Sequence, residues 1–418
     1  MQKFRRFFWD RGHLIDRSGL FNNINCFSKF CFNQYLRKFA NGETHRRRLP
    51  ASMTISEATT NLHVHVDPNP AVSEIHRQWL DLEARATPTF FLSSSWIDTL
   101  LEAYQYRPQL IVAKRRDRIV GLGLLASHVN QRFGLTWPCL SLNETGVAKF
   151  DSIMIEDNGF LTEKDLEKEI VDACLNHVFE AMPEWRELRL SGVTEVVAAS
   201  IRRIARNVAY DKKAASPYIL CNTPDLLSLS WMSANTRYQV RRAMRLYGAR
   251  GELRISPSPN LSEARNRLSE MAMLHERRWA SKGRVGAFAN PDFERFHEIL
   301  LTRAYPLGHV DILRVECASQ TIGLLYIFFY NGEAAVYQNG FCYEDDSRLK
   351  PGMVSHVLAL RFCAQKGIQK YRLLAGSSRY KESLATDSDT IRWMVVRRPH
   401  IAFGIESALR AVTGRTAA

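Results

Sequence analysis

The stretch His297-Glu-Ile-Leu-Leu-Thr-Arg-Ala-Tyr305, Pro306-Leu-Gly308, Val310-Asp-Ile-Leu-Arg-Val315, Ala318-Ser-Gln320, Thr321-Ile-Gly323-Leu-Leu-Tyr-Ile-Phe-Phe329 reads as a helix end, a turn, a strand, a polar turn and a second strand. The same order occurs earlier in the chain. There Trp96-Ile-Asp-Thr-Leu-Leu-Glu-Ala-Tyr104 precedes a Pro-containing turn, the strand Leu110-Ile-Val-Ala-Lys114, the turn Arg115-Arg-Asp117 and the strand Ile119-Val-Gly121-Leu-Gly-Leu-Leu125. Trp96 to Gly121 spans 25 positions and His297 to Gly323 spans 26. Both helices end in Ala-Tyr, and Ile-Val-Gly or Ile-Gly opens each second strand. Agreement in both order and length points to an internal duplication, hence to two similar mixed α/β domains. The boundary is expected between Pro217 and Asn235, where Cys221-Asn-Thr-Pro-Asp225 and Ser228-Leu-Ser-Trp-Met-Ser233 interrupt the pattern.

Composition agrees with two domains. A chain of 418 residues exceeds what one hydrophobic core usually supports, and 45% apolar with 24% charged residues is ordinary globular usage. The longest apolar run, Ile322 to Tyr330, is strand-sized and falls short of the ~18 to 20 residues a membrane span requires. Eight cysteines stand without a CxxC pair or regular spacing, which argues against a zinc site or disulfide framework and for buried thiols in a reducing cytoplasm. No metal is expected.

The net charge of +14 is uneven, because residues 1–52 hold eleven Lys/Arg against three acidic residues. That segment has no apolar period and reads as a disordered basic leader. Its Arg-rich, acid-poor composition resembles an organellar transit peptide, and the composition change at Met53 offers an alternative translation start. The remaining excess suits phosphate-bearing small molecules as well as polymers.

Over residues 235–382 the sequence resembles the acetyltransferase domain of polysaccharide-associated (CelD-like) acyltransferases, in the GNAT superfamily and related to the Fem peptidyltransferases. The matching residues are Asn235-Thr-Arg-Tyr-Gln-Val-Arg241-Arg242, Leu274-His275-Glu-Arg-Arg278-Trp279, Gly323, Gln338-Asn-Gly340-Phe341, Lys350-Pro351-Gly352, Ala364-Gln-Lys-Gly367 and Gly376 with Tyr380-Lys381. The resemblance implies tandem GNAT-like domains, each a mixed, mostly antiparallel sheet flanked by helices. The expected division is a degenerate copy at 60–225, the catalytic copy at 226–400 and a tail at 401–418. It further implies an acyl-CoA donor, a sugar, lipid-linked glycan or amino acceptor, and a place in polysaccharide biosynthesis. The RxxGxG diphosphate loop of simpler GNAT enzymes is missing.

An acyl-CoA site needs backbone groups for the pantetheine amides and donors for the diphosphate. The strand after Gly323, including Leu324 and Tyr326, is the candidate for the first. For the second, Arg348 and Lys350 flank a helix start at Pro351-Gly352-Met353, where free N–H groups and a positive dipole end meet. The loop Gly376-Ser-Ser-Arg379-Tyr380-Lys381 follows a strand and carries groups able to bind an anion or polarise a carbonyl. By resemblance Lys381 lies in the active site and Tyr380 protonates the leaving thiolate. Glu276 is the candidate base, and His275, Arg278, Trp279 and Arg379 are the candidate acceptor contacts. An ordinary core role for His275 and Trp279 stays open.

The stripe Arg237, Arg241, Arg245, with Arg242 beside it, raises a second reading: a Fem-like transferase drawing on aminoacyl-tRNA. A third reading is a non-catalytic binding subunit of a polysaccharide-synthesis complex.

Overall fold

A computed structural model describes residues 62–221, 226, 228–376 and 378–413. The leader 1–52, the alternative start at Met53, boundary residues 222–225 and Ser377 lie outside the described residues. Residues 61–407 form one compact unit.

In chain order its elements are β1 (Leu62–Asp67), α1 (Val72–Glu83), α2 (Ser94–Ala103), β2 (Gln109–Arg115), β3 (Arg118–Arg132), β4 (Leu135–Leu142), a two-residue β5 (Leu161–Thr162), α3 (Glu167–Glu180), β6 (Glu187–Thr194), α4 (Glu195–Ile204) and β7 (Val208–Leu220). After α5 (Ala234–Gly248) the series repeats. It runs β8 (Leu253–Ser256), α6 (Leu261–Ala280), α7 (Pro291–Ala304), β9 (Val310–Cys317), β10 (Gln320–Tyr330), β11 (Glu333–Phe341), α8 (Pro351–Gln365), β12 (Lys370–Arg372), α9 (Arg379–Leu384) and β13 (Asp387–Arg397), and α10 (Ile401–Thr413) follows. The repeated helices begin a few residues before Trp96 and His297 because caps precede them. Ser93 accepts from the Trp96 amide, and Asn290 accepts from the Asp292 amide with Pro291 in the first turn.

The strands join in one sheet of order β1-β2-β3-β4-β6-β13-β7-β12-β11-β10-β9-β8, with β5 beside β3. Read inward from its two ends, the sheet repeats itself until the middle, where each repeat gives its last strand to the other. β13 pairs antiparallel with β6, and β7 pairs antiparallel with β12. The two exchanged strands pair with each other from Asp387↔Tyr218 to Val396↔Val208. This is a tandem GNAT-like architecture built on a shared sheet.

The duplication extends to single residues. In β2–β3 the register skips Val120 immediately before Gly121, and in β9–β10 it skips Ile322 immediately before Gly323. Each bulge adds local twist, and each glycine lets the equivalent helix approach the sheet. A Cβ on Gly121 would lie 2.3 Å from Ile170 Cγ2 of α3, and one on Gly323 would lie 2.4 Å from Ser355 Oγ of α8.

Strand alternation sorts the core into two faces. On one face a single cluster joins α1 and α2 of the first repeat to α6 and α7 of the second. Trp96 stacks edge-on against Phe296, with ring centroids 4.8 Å apart and both side chains fully buried. Burial of each such aromatic ring contributes on the order of 2 to 3 kcal/mol. On the other face α3 and α4 cover the first repeat, while α5 and α8 cover the second.

Candidate active site

Among the described residues each repeat has one parallel strand pair, and both are short. In the first, β4 and β6 pair over Cys139↔Glu187 to Ser141↔Arg189. In the second, β11 and β12 pair over Glu333↔Lys370 to Ala335↔Arg372. Past the last rung the strands diverge, and the two repeats treat the gap differently. In the first repeat Asn158, fully buried, fills it. Its amide donates to Gly192 O at 2.9 Å, and its carbonyl accepts from Thr194 N at 3.2 Å. Its side-chain Nδ2 donates to Leu142 O at 2.9 Å and Ser191 O at 3.1 Å, while Oδ1 accepts from Asn143 at 2.9 Å. Gly192, at φ +60°, permits this packing, since a Cβ there would lie 2.2 Å from Ile155 O.

In the second repeat the chain after β12 keeps to β7, with Leu373 N donating to Pro217 O at 2.8 Å. It therefore leaves β11. From Val336 to Phe341, β11 has β10 on one side and, among the described residues, no strand on the other. The slot so formed ends at α8, because Phe341 Cε2 would sit 3.1 Å from a Cβ on Gly352. The α8 N-terminus thus stands at the far end of the slot. Among the described residues no backbone acceptor faces the Gly352 and Met353 amides.

Polar groups collect where the slot opens. Lys381, on α9, turns back so that Nζ donates to Leu374 O at 3.0 Å and Ala375 O at 2.8 Å. Gly376, at φ +136°, leaves room for it: a Cβ there would lie 3.3 Å from Nζ. The Ala375 amide donates to both carboxylate oxygens of Glu156, at 2.8 and 3.0 Å, and Ser216 Oγ donates to Glu156 Oε2 at 3.3 Å. Glu156 comes from the first repeat. Burial, then the neighbouring Asp157, push its carboxyl up to about 7, against the pull of Lys381, the Ala375 amide and Arg372. Burial likewise lowers Lys381 to about 8, opposed by Glu156. Arg372 bridges to Asp157 at 2.6 Å and Glu333 at 3.3 Å.

Tyr380 lies over His356, ring centroids 5.5 Å apart. Burial, with the Tyr343 phenol adding to it, raises Tyr380 to about 12, while hydrogen bonding with Ser378 and Asn339 on the slot edge moderates the rise. It therefore keeps its proton at neutral pH. His356 is buried, 3.0 Å from the Tyr371 hydroxyl through Nδ1, and burial, then Lys381, drive it down to about 3. It stays neutral.

Tyr380, Lys381, Gly352 and Met353 thus border one slot, and Lys350 caps α8 in a left-handed conformation, φ 48°. Other expected residues lie elsewhere. Leu324 and Tyr326 are fully buried on β10, whose backbone pairs with β9 on one side and β11 on the other. They offer no free edge for a ligand; the open edge belongs to β11, where the parallel partner leaves. Glu276 accepts from the Gly286 and Phe288 amides at 3.0 and 3.1 Å and from His275 at 3.2 Å, so it anchors a loop. Trp279 donates to His275 Nε2 at 2.8 Å, which gives that histidine a packing role. Arg278 instead lies over the Tyr343 ring, 4.2 Å from its centroid. Arg348 is exposed and chelates Asp346 at 2.8 Å, away from the helix amides. Arg379 is exposed.

Arg237, Arg241, Arg242 and Arg245 do lie on one helix and form no ion pair among the described residues. Arg237 and Arg241 donate to backbone carbonyls of Ser230, Met232 and Ser228. No described helix is long and apolar enough to cross a membrane. Sequence reading missed Glu156, Asp157, Arg372, Asn339 and His356. The Glu156-Asp157 pair falls in the half read as degenerate, where only an extension of the repeat past β4 would have directed attention to it.

A sheet whose parallel pair splays beside a helix N-terminus, as β11 and β12 do beside α8, is the arrangement of a GNAT-type fold. Residues 234–382 match the family described as "Acetyltransferase (GNAT) domain". The structure of the chain is similar to that of FemX at 9% identity and a TM-score of 0.52, over 79% of this chain and 96% of that one. Weaker likenesses include the C-terminal domain of a putative lysylphosphatidylglycerol synthetase from Agrobacterium fabrum, at 8% identity and a TM-score of 0.48 over 81% of this chain and 97% of that one. Another is a tandem GNAT protein from the clavulanic acid biosynthesis pathway, at 11% identity and a TM-score of 0.41 over 81% and 100% of the two chains. No sequence among curated proteins matches the chain significantly.

Proposed function

We propose that the chain transfers an acyl group from acyl-CoA to an amine or hydroxyl of a sugar, lipid-linked glycan or amino compound, using the second repeat alone. One observation carries this reading: beside the parallel pair Asn158 bridges to the neighbouring strand in the first repeat, whereas in the second no described strand pairs with β11 beyond Ala335. Pantetheine amides pair with the free edge of Val336 to Phe341, as an added strand would. The diphosphate meets the amides of Gly352 and Met353 at the positive end of α8, with Lys350 as the nearby cation. The first repeat, residues 60–225, is then the degenerate copy.

The acceptor attacks the thioester carbonyl directly. Tyr380, protonated throughout the neutral range, donates to the departing thiolate. A protonated Lys381 has three donors, of which two are held by Leu374 O and Ala375 O, leaving one for charge developing on the acyl oxygen. Titration calorimetry with acetyl-CoA and longer acyl-CoAs is expected to give one site per chain. Lys381→Ala should lower turnover far more than donor affinity. Absence of acyl-CoA binding would defeat the reading. RNA binding that weakens steeply with salt would favour the tRNA-dependent alternative instead.

A further inference from the structure

Direct attack on a thioester leaves the acceptor's proton without a destination, and the inference that follows rests on the acyl-CoA reading above. We propose that Glu156, delivered from the first repeat, is the group that takes this proton in the slot of the second. As the acceptor N–C or O–C bond forms, the proton on the attacking atom passes to the Glu156 carboxylate. The C–S bond then breaks with its electron pair on sulfur, and the thiolate takes a proton from Tyr380. Solvent returns the proton from Glu156 to Tyr380, so that acyl-CoA and acceptor give acylated acceptor and CoA thiol.

Three features place the carboxylate there. It grips the Ala375 amide, while Lys381 grips the carbonyls of Leu374 and Ala375, so both charged groups converge on the chain that forms one wall of the slot. The segment that brings it is held from both repeats. The Tyr337 hydroxyl on β11 donates to Ile153 O, Asp157 pairs with Arg372 on β12, and Asn158 closes the first repeat's own gap. Finally, the groups facing Glu156 leave it able to cycle. Asp157 beside it, Lys381 from α9, Arg372 from β12, Ser216 from β7 and Tyr337 from β11 surround a site whose burial raises the carboxyl to about 7. A base is most effective when its affinity for protons lies near the working pH. Two residues, 156 and 158, therefore divide one segment between completing one slot and blocking the other.

The test compares full-length wild type, Glu156→Gln and Glu156→Asp, with calorimetry for acetyl-CoA and thiol release from acetyl-CoA in the presence of glucosamine, which reports both transfer and hydrolysis. Glutamine still accepts from the Ala375 amide, so a purely structural role would survive that change. The expected result is acetyl-CoA affinity close to wild type in both variants, with both folded and Glu156→Gln no less stable than wild type. Thiol release should fall at least 100-fold in Glu156→Gln, with partial activity in Glu156→Asp. The wild-type rate should rise with pH through about 7, and that limb should vanish in Glu156→Gln. If Glu156→Gln keeps both rate and pH profile while acetyl-CoA binds, the proposal is wrong and the acyl-CoA reading stands. If wild type binds no acetyl-CoA, or releases thiol no faster than free solution, both fall. If both variants unfold, Glu156 is a structural buried acid and the proposal is overturned.

Discussion

Replacing Asn158 with alanine isolates the closure of the first repeat. The side chain is fully buried and makes three hydrogen bonds, to Leu142 O, Ser191 O and Asn143 Nδ2, at 2.9, 3.1 and 2.9 Å. Each contributes roughly 1 kcal/mol net, and the two carbonyls left dry add a desolvation cost, so the variant should lose about 3 to 5 kcal/mol. Asn143 keeps its bond to Gly159 O at 2.6 Å, which limits the loss on that side. Asn158→Asp is the sharper comparison, because it preserves volume but sets a carboxylate oxygen against the Leu142 and Ser191 carbonyls; it should lose more than alanine does. Urea unfolding followed by tryptophan fluorescence reads both. With an m-value of about 3 kcal/mol/M, the alanine midpoint should move down by roughly 1 M or more at unchanged slope. Acetyl-CoA stoichiometry should stay at one, since the backbone bonds to Gly192 and Thr194 persist. A loss below about 1 kcal/mol for alanine, or an aspartate variant no worse than alanine, would refute the view that this side chain seals the gap.

Gly323→Ala should destabilise by about 1 to 3 kcal/mol in the same unfolding assay, because its Cβ meets Ser355 Oγ at 2.4 Å and Phe341 Cδ1 at 2.9 Å. Lys350→Gly keeps the left-handed cap, φ 48°, and removes only the charge, so acetyl-CoA affinity by calorimetry should weaken by about 1 to 3 kcal/mol at unchanged stability. Glu156→Gln carries a stability signature with a definite sign. The folded pKa lies near 7 against an ordinary 4.5, so wild type loses stability as pH rises through that window and the variant does not. The variant should gain up to about 3 kcal/mol over wild type above pH 7, a difference that closes below pH 4.5.

Much of the fold could be read from local pattern. The helix-hairpin repeat was visible because Ala-Tyr helix ends and strand glycines recur at nearly equal spacing, and those glycines prove to serve one packing need twice. Tyr380 and Lys381 were singled out by a glycine loop after a strand together with the family resemblance, and they prove to lie beside the chain that parts from β11. Pairing between Val208–Leu220 and Asp387–Arg397 was not, since nothing local in either strand records that its partner lies in the other repeat. The misplacement of the slot on Leu324 and Tyr326 has the same origin. Which edge of a sheet is open depends on where the parallel partner diverges, and β12 diverges because it follows β7. Glu276 misled for a different reason: a carboxylate beside His275 on a helix looks the same in sequence whether it faces a cleft or, as here, accepts two loop amides. Glu156 carried no motif, and the reading of its half as degenerate turned attention from it.

The exchange of β7 and β13 bears on why the closed repeat is retained. Between β6 and β12 lie one strand from each half, and each exchanged strand is hydrogen-bonded along both edges. Without its partner, either half would present a long unpaired edge and an incomplete sheet. The open slot depends on this directly: β12 parts from β11 because Leu373 binds Pro217 of the first repeat's β7. Arg372 and Asp157, one from each repeat, fix the same junction with an ion pair at 2.6 Å. A repeat whose own gap is filled by Asn158 therefore still sets the shape of the other one, through strand pairing that a single GNAT-like domain would have to supply from its own chain.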